Sequence, residues 1–434
     1  MVELVERNPS KNILLTTTLA LSGYGVGYYI SIMNSMGNPL LVGVYNLDED
    51  ARISAFGNLN FLFAIGAMIG VLSAGKIMNT FGRRRTVTYI DLVAFFIIML
   101  HAVQNLYVLF FTRLAMGFIS CVYGVPASIM MVECLPRKLS SVGNIISYSV
   151  VTFTLLMTFV QQLIFSQATL IEYWRFFLCY PAVIALIRFS LLYMFLDFES
   201  PNWLLQTHSA DTSVKTILAN SYRTIYRDQG IKEKVEELVN QCKVSNSEKP
   251  VEFKMLLEQR FRVPMISSLI VMIGQQLTGI NFLVFFSTEL FDKISGNGKT
   301  ISFVFGLGNL LGSFVCMYFV NKYSRLFLLK NGTIVQGVSL LLIVIGVQMG
   351  YYFILPISVM AYILSFAVGM GATAGLYINE ILPPTGVGFT LATNWVSAAL
   401  VGKLCPIGTQ LIGSNGMLLF FSLWCFVICY LMDK

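Results

Sequence analysis

The stretch GQQLTGINFLVFFS, residues 274–287, places three carboxamide side chains inside an otherwise apolar run. Gln275, Gln276 and Asn281 each offer two N–H donors and a carbonyl acceptor without carrying a charge. That chemistry suits neutral ligands rich in hydroxyl groups, because every hydroxyl both donates and accepts. The alternative is that these amides only hold neighbouring membrane helices together.

The spacing of these amides conflicts with a regular helix. At 100° per residue, Gln276 and Asn281 point about 140° apart, so they cannot face one site. Gly279 lies between them, and glycine readily adopts backbone conformations that interrupt a helix. The sequence therefore predicts a break at Gly279.

The elements that position these residues are membrane helices. Of the 434 residues, 56% are hydrophobic and only 12% charged, whereas about a quarter of a soluble domain is charged. Twelve apolar stretches are long enough to cross a bilayer. They lie at residues 13–33, 57–78, 86–105, 108–131, 142–165, 175–197, 263–286, 300–320, 326–349, 353–377, 386–407 and 414–432.

Lys and Arg collect on alternate loops, after the second, fourth and eighth spans. The residues are Lys76, Arg83, Arg84, Arg85, Arg137, Lys138, Lys322 and Arg325. Because positive charge marks cytoplasmic loops, these loops, the polar segment 203–260 and both termini are expected to face the cytoplasm. This distribution accounts for the net charge of +7 without a nucleic-acid partner.

Two sequence marks occur twice. NTFGRRR begins at Asn79 and NKYSRL at Asn321, while Glu133-Cys-Leu-Pro and Glu380-Ile-Leu-Pro follow the fourth and tenth spans. The offsets, 79 to 321 and 133 to 380, are nearly equal, which indicates duplication. We therefore expect an all-α membrane protein with two pseudo-symmetric six-helix bundles, the plan of the major facilitator fold. Its parts are residues 1–202, a cytoplasmic linker with short helices at 203–260, and residues 261–434.

A series of motifs follows one order along the chain. It comprises Gly75-x3-Asn79-x2-Gly82-Arg83-Arg84, Arg113-x3-Gly117, Glu133-x2-Pro136, Trp174-Arg175, Glu199-Ser200-Pro201, QQLTGIN at 275–281, Asn309 and Asn394-Trp395. With these motifs the chain resembles the sugar porter family of the major facilitator superfamily, most closely the facilitative hexose (glucose) transporters.

The resemblance implies roles for individual residues. Substrate contacts are expected from Gln275, Gln276, Asn281, Asn309, Asn394 and Trp395. Phe285 and Phe286 stand where many relatives have tyrosines of an outer gate. An inner charge network that closes the cytoplasmic side is expected from Arg83, Arg84, Arg113, Glu133 and Glu380. The family's span 5 glutamine has no counterpart here, and Tyr148 is nearest by position.

The first span bears on the energy source. Proton-coupled relatives read FGYD there, whereas this chain reads Val26-Gly27-Tyr28-Tyr29. A tyrosine, with an ordinary pKa near 10, does not exchange protons at physiological pH. Downhill transport of glucose or fructose by alternating access is thus favoured. A sugar:proton symporter and a non-transporting sugar receptor remain the alternatives.

Other chemistry finds no support in the sequence. The eight cysteines show no CxxC spacing, and there are two histidines, so neither a metal site nor a disulfide framework is expected. We predict no enzymatic activity and no cofactor. The expected partners are a hexose and the lipid bilayer of the plasma membrane, with a monomer as the transport unit.

Overall fold

The structure is a computed structural model that describes residues 7–207, 212–227, 230–247, 255–256 and 258–433. The described chain is helical almost throughout. The helices of the first half are α1 (Pro9–Ala20), α2 (Gly23–Asn38), α3 (Glu49–Phe81), α4 (Arg83–Leu100), α5 (Leu106–Cys134), α6 (Arg137–Ile164), α7 (Gln167–Glu172), α8 (Trp174–Cys179) and α9 (Pro181–Phe195). A π-helical segment, Pro39–Val44, extends α2.

The linker and the second half follow. Their helices are α10 (Pro201–Thr207), α11 (Thr212–Ile225), α12 (Ile231–Ser247), α13 (Gln259–Leu277), α14 (Ile280–Ser295), α15 (Gly298–Lys322), α16 (Arg325–Gln348), α17 (Ile354–Phe366), α18 (Ala372–Ile381) and α19 (Pro384–Leu431). The π-helical segment Ala367–Gly371 joins α17 to α18. His208 and part of the predicted linker lie outside the described residues.

All twelve predicted spans are helical. Ten helical segments of the described chain are long and apolar enough to cross a membrane. The third span, α4, is a shorter helix that begins with three arginines and contains Asp91. The last two spans form the 48-residue α19, in which Gly413 adopts a non-helical φ of 73°. This glycine separates spans 11 and 12, so the count of twelve is confirmed.

Successive spans run in opposite directions. We call the face with the loops at residues 45–48 and 101–105 the outer face, and the face with Gly82 and residues 135–136 the inner face. Polar side chains cap helices at the outer face. Asp48 accepts from the N–H of Ala51 at 2.8 Å, and Asn105 accepts from that of Tyr107 at 2.9 Å, which satisfies amides that have no partner within the helix.

Glycines allow α3 and α5 to cross closely. A Cβ on Gly117 would lie 1.9 Å from the carbonyl oxygen of Phe63, and one on Gly66 would lie 2.0 Å from that of Leu114. Such small residues let membrane helices approach until their backbones touch. Gly117 of the Arg113-x3-Gly117 motif is therefore a packing residue.

The linker helices cover the inner face of the first half. Leu204, Leu218 and Tyr222 share a buried apolar cluster with Leu15 and Val87 of the spanning helices. The segment KEKVEELVNQ, predicted to be helical, lies within α12.

Candidate substrate-binding site

Span 7 is broken as the sequence predicted. Helix α13 ends at Leu277 and α14 begins at Ile280, while Gly279 between them has φ +89° and ψ 12°. L-residues rarely adopt this left-handed conformation. A Cβ on Gly279 would also lie 2.9 Å from Cγ of Phe421. Backbone and packing both require glycine here.

The break brings the amides on its two sides together. Asn281 Nδ2 donates to Gln276 Oε1 at 2.7 Å, and Gln276 Nε2 donates to Asn394 Oδ1 at 3.1 Å. All three side chains are buried. Residues from α13, α14 and α19 thus form one uncharged hydrogen-bonded chain.

Gln275 extends this chain to span 10. Its Oε1 accepts from Asn394 Nδ2 at 2.8 Å, and its Nε2 donates to the carbonyl oxygen of Met370. Met370 lies in the π-helical segment, where a local bulge can free a backbone carbonyl from the usual helix pattern. Asn394 Nδ2 also donates to the carbonyl of Met272 at 2.7 Å. We call Gln275, Gln276, Asn281 and Asn394 the amide cluster.

Two predicted contact residues lie outside these bonds. Asn309 is buried in α15 and, within the described residues, forms no hydrogen bond with the amide cluster. Trp395 turns from the cluster toward the first half, where it packs on Ala64 and on the ring of Phe63 at a centroid distance of 6.3 Å. The indole therefore lies at the contact between the halves.

The predicted outer gate residues lie on α14, outward of the break. The ring of Phe286 meets that of Phe56 from α3 edge-on at 5.2 Å. Phe285 is fully buried. In this conformation the aromatic rings close the outer side by apolar packing across the two halves.

Polar contacts surround those rings, and sequence reasoning missed them. Asn34 Nδ2 donates to Ser287 Oγ at 2.9 Å, and Gln162 Nε2 donates to Thr288 Oγ1 at 2.8 Å. Arg52 and Glu289 form an ion pair at 3.4 Å. We call these three pairs, Asn34–Ser287, Gln162–Thr288 and Arg52–Glu289, the outer latch. The positions of Asn34 and Gln162 in or beside apolar spans could have marked them as candidates. Their partners could not be inferred, because they lie more than a hundred residues away in the sequence.

The inner charges are paired differently. Arg83 Nε lies 3.6 Å from Glu133 Oε2, and Arg325 Nε lies 3.1 Å from Glu380 Oε1. Each pair joins two residues of one half. Among the ion pairs of the described spanning helices, the one that joins the halves is Arg52–Glu289 on the outer face. The predicted bridge between Glu380 and the first-half arginines is thus not formed in this conformation.

Arg84 lies beside the Glu199-Ser200-Pro201 motif. Glu199 Oε1 accepts from the backbone N–H groups of Arg84 at 2.8 Å and of Ser200 at 2.9 Å. Burial raises the pKa of Glu199, while these N–H groups oppose the shift. A Cβ on Gly82, whose φ is +89°, would collide with the Glu199 carboxylate. The Gly82-Arg83-Arg84 and Glu199-Ser200-Pro201 motifs are therefore in direct contact at the inner face.

Arg113 does not belong to the inner charge network, and grouping it there was wrong. It lies twenty residues before Glu133 on α5, about 30 Å along the helix axis, toward the outer face. Its guanidinium is fully buried, donates to the carbonyls of Tyr29 at 2.6 Å and Leu59 at 3.3 Å, and lies 4.6 Å from the Phe63 ring centroid. Arg113 thus braces spans 1, 2 and 4 through backbone carbonyls, which no motif could reveal.

A buried carboxylate, Asp91 of α4, was also missed. The sequence argument on coupling used only the first span and passed over this aspartate, although it lies within the third apolar span. Asp91 Oδ1 accepts from Arg188 Nη1 of α9 at 2.7 Å, and both residues are buried. The Tyr123 ring centroid lies 5.2 Å from the guanidinium. The pair offsets two charges that would be costly in the membrane alone.

The contacts between the halves reveal the conformation. They run from the outer latch through Phe56–Phe286 to Phe63–Trp395. Farther in, the hydroxyl of Tyr148 lies 3.2 Å from where a Cβ on Gly371 would stand. Since the inner ion pairs stay within one half, the molecule is closed toward the outer face.

Twelve spanning segments in two bundles, with an uncharged polar cluster at a helix break in the second bundle, define a membrane transport protein of the major facilitator fold. The family model for "Sugar (and other) transporter" matches residues 11–432. The chain therefore belongs to this family of sugar transporters, which are not enzymes.

Individual relatives are distant but similar over most of their length. Hexose transporter 1 of Plasmodium falciparum is 26% identical over 411 residues, which cover 88% of this chain and 81% of that protein. The human facilitated glucose transporter member 3 of solute carrier family 2 is 24% identical, with 83% of this chain and 74% of that protein covered. A partially occluded inward open structure of the xylose transporter XylE from E. coli superposes with a TM-score of 0.79 at 18% identity, covering 98% of this chain and 99% of that one.

Proposed function

We propose that the protein is a facilitative transporter of a neutral hexose, glucose or fructose, that works by alternating access in the plasma membrane. The amide cluster carries this proposal. Its four side chains present donors and acceptors without charge, as a ring of hydroxyls requires. The relatives named as hexose and glucose transporters support the substrate class.

The cluster also explains how substrate could be released. The amides of the cluster bond one another, so a sugar hydroxyl would replace an existing bond such as that between Asn281 and Gln276. Exchanging one hydrogen bond for another contributes only about 1 kcal/mol net. Weak, exchangeable binding suits a carrier, because the sugar must leave on the other side.

Two residues favour downhill transport. Tyr29 occupies the position of the aspartate in proton-coupled relatives, and its backbone carbonyl already holds Arg113. The second residue is Asp91, a buried carboxylate of the third span. Arg188 holds it in an ion pair at 2.7 Å. Asp91 is thereby engaged in a buried ion pair, which supports a structural role for it rather than a role in proton coupling.

A sugar:proton symporter is the second candidate, since Asp91 is a buried intramembrane carboxylate of the kind used in proton relays. The solved proton:xylose symporter XylE shares the fold, which does not decide the mode. Both termini and the linker are placed in the cytoplasm in either proposal, following the positive charge of the inner loops.

The test is uptake of radiolabelled glucose and fructose into liposomes that contain the purified, folded protein. We expect saturable uptake without a proton gradient, reduced by competing unlabelled hexoses. Protein-free liposomes and a charged hexose phosphate as competitor serve as controls. Folded protein that moves no hexose would contradict the proposal. Uptake that requires an imposed proton gradient would select the symporter.

A further inference from the structure

Asn60 on α3 is a polar residue that neither the motifs nor the amide cluster includes. Its side chain is fully buried, and within the described residues neither Oδ1 nor Nδ2 has a hydrogen-bond partner. Buried amides are nearly always paired, and an unpaired one destabilises the state that contains it. Asn60 differs in this respect from Gln276 and Asn281, whose amides are hydrogen-bonded to each other.

Asn60 lies where the two halves touch. A Cβ on Gly402 of α19 would lie 3.1 Å from Cβ of Asn60 and 3.5 Å from Cε2 of Phe285. One helical turn farther inward on the same face of α3 is Phe63, whose ring meets Trp395. Asn60 is thus placed between the outer gate ring Phe285 and the level of Trp395.

This position becomes accessible when the outer ends of the halves separate. Packing of α19 covers Asn60 from the second half, because the Gly402 position lies directly against the Cβ of Asn60. Parting α3 from α19 would expose the amide on the route that a sugar takes from the outer face to the amide cluster.

We propose that Asn60 is a sugar-binding residue of the first half that acts in the outward-open state. This inference rests on the proposed function. Its carboxamide hydrogen-bonds a hydroxyl of the incoming neutral sugar, and closure of Gly402 and Phe285 over Asn60 ends that contact. The sugar then passes to the amide cluster of the second half. Binding from the outer face therefore depends on Asn60, whereas binding from the inner face does not.

The test compares uptake from the two faces. KM for glucose is measured by influx into intact cells that express the protein, and by uptake into inside-out vesicles from the same cells. For Asn60→Ala we expect KM from the outer face to rise about tenfold, the factor that corresponds to one or two lost neutral hydrogen bonds. KM from the inner face should stay within twofold of the wild-type value. Asn331→Ala, which truncates an exposed asparagine bonded to its own helix, should change neither.

Monodeoxyglucoses separate direct contact from a change in conformation. In the wild type, the analogue that lacks the hydroxyl bound by Asn60 should have an outer KM about tenfold higher than that of glucose. In Asn60→Ala, this analogue and glucose should have the same outer KM. A deoxy profile of Asn60→Ala identical to that of the wild type would overturn the inference. Asn60→Ser, which keeps a hydrogen-bonding group, should recover part of the outer affinity. If the wild type transports no hexose, the proposed function fails first and is recognised before any variant is measured.

Discussion

The Nδ2 of Asn281 lies 2.7 Å from the Oε1 of Gln276, although five residues separate them in a span that a regular helix would fill. This contact exists because Gly279 turns the chain through a left-handed conformation. The proposed substrate site therefore depends on the break as much as on the amides.

Replacing Gly279 by alanine should disrupt the site. The left-handed backbone costs an L-residue about 1–2 kcal/mol, and the new Cβ would press on Phe421 at 2.9 Å. We expect hexose uptake to fall at least tenfold and the thermal unfolding temperature to drop. Gly388→Ala is the matched control, since a Cβ there meets nothing within 4 Å in a helical backbone. Normal uptake by Gly279→Ala would show that the break is dispensable.

Gln276→Ala should weaken sugar binding directly. The substitution removes one ligand group and leaves Asn281 Nδ2 and Asn394 Oδ1 without their present partner. Two lost neutral hydrogen bonds predict a KM about tenfold higher or more. Gln348→Ala, at an exposed position near the outer face, should leave KM unchanged. A wild-type KM in Gln276→Ala would refute the assignment of the amide cluster.

Breaking Arg52–Glu289 should shift the molecule toward an outward-open conformation. The pair is partly buried, with side chains 11% and 20% exposed, so we expect about 1 kcal/mol, or roughly a fivefold change in the conformational equilibrium. Spin labels at the exposed positions Tyr107 and Leu411, one near the outer end of each half, report the separation by pulsed electron paramagnetic resonance.

A double-mutant cycle identifies the pair as the cause. Arg52→Gln, Glu289→Gln and the double variant should show the same enlarged long-distance population, because either substitution already breaks the contact. Lys293→Gln, which affects a pair within α14, should leave the distances unchanged. Additive effects of the two single substitutions would show that Arg52 and Glu289 act independently.

The proposed downhill mode predicts that a proton gradient changes neither the rate nor the final level of uptake. Asp91→Asn should keep this independence but destabilise the fold, since it leaves Arg188 buried without its anion, a loss of about 3–5 kcal/mol. The double variant Asp91→Leu/Arg188→Met, which removes both charges, should be more stable than Asp91→Asn. Gradient-driven accumulation in the wild type that disappears in Asp91→Asn would instead establish Asp91 as a coupling carboxylate.

Local features of this fold could be predicted from the sequence. Twelve apolar runs give twelve helical spans, and the angular conflict between Gln276 and Asn281 gives the break at Gly279. Both follow from helix geometry and composition within one segment. The third span shows that charged residues do not exclude a spanning helix. Helix α4 carries three arginines and Asp91, and it still forms a helix of the bundle.

Long-range pairings could not be predicted in the same way. Arg113 donates to the carbonyls of Tyr29 and Leu59, and backbone acceptors leave no trace in the sequence. Arg83 pairs with Glu133 and Glu380 pairs with Arg325 in this conformation, and the order of the motifs does not say which acid lies beside which arginine. Asn60 looks like any polar residue in a span until its burial without a partner is seen.

The broken seventh span has a mechanical consequence. Helix α13 packs on α19 within the second half, whereas α14 also packs on α2 of the first half, so the joint at Gly279 lies between a segment held by one half and a segment that contacts both. Gln276 lies on one side of that joint and Asn281 on the other. A sugar held by both amides would resist any bending that pulls them apart. The transporter should therefore bind the sugar most tightly in the occluded state, in which both faces are closed. It should release the sugar when either face opens.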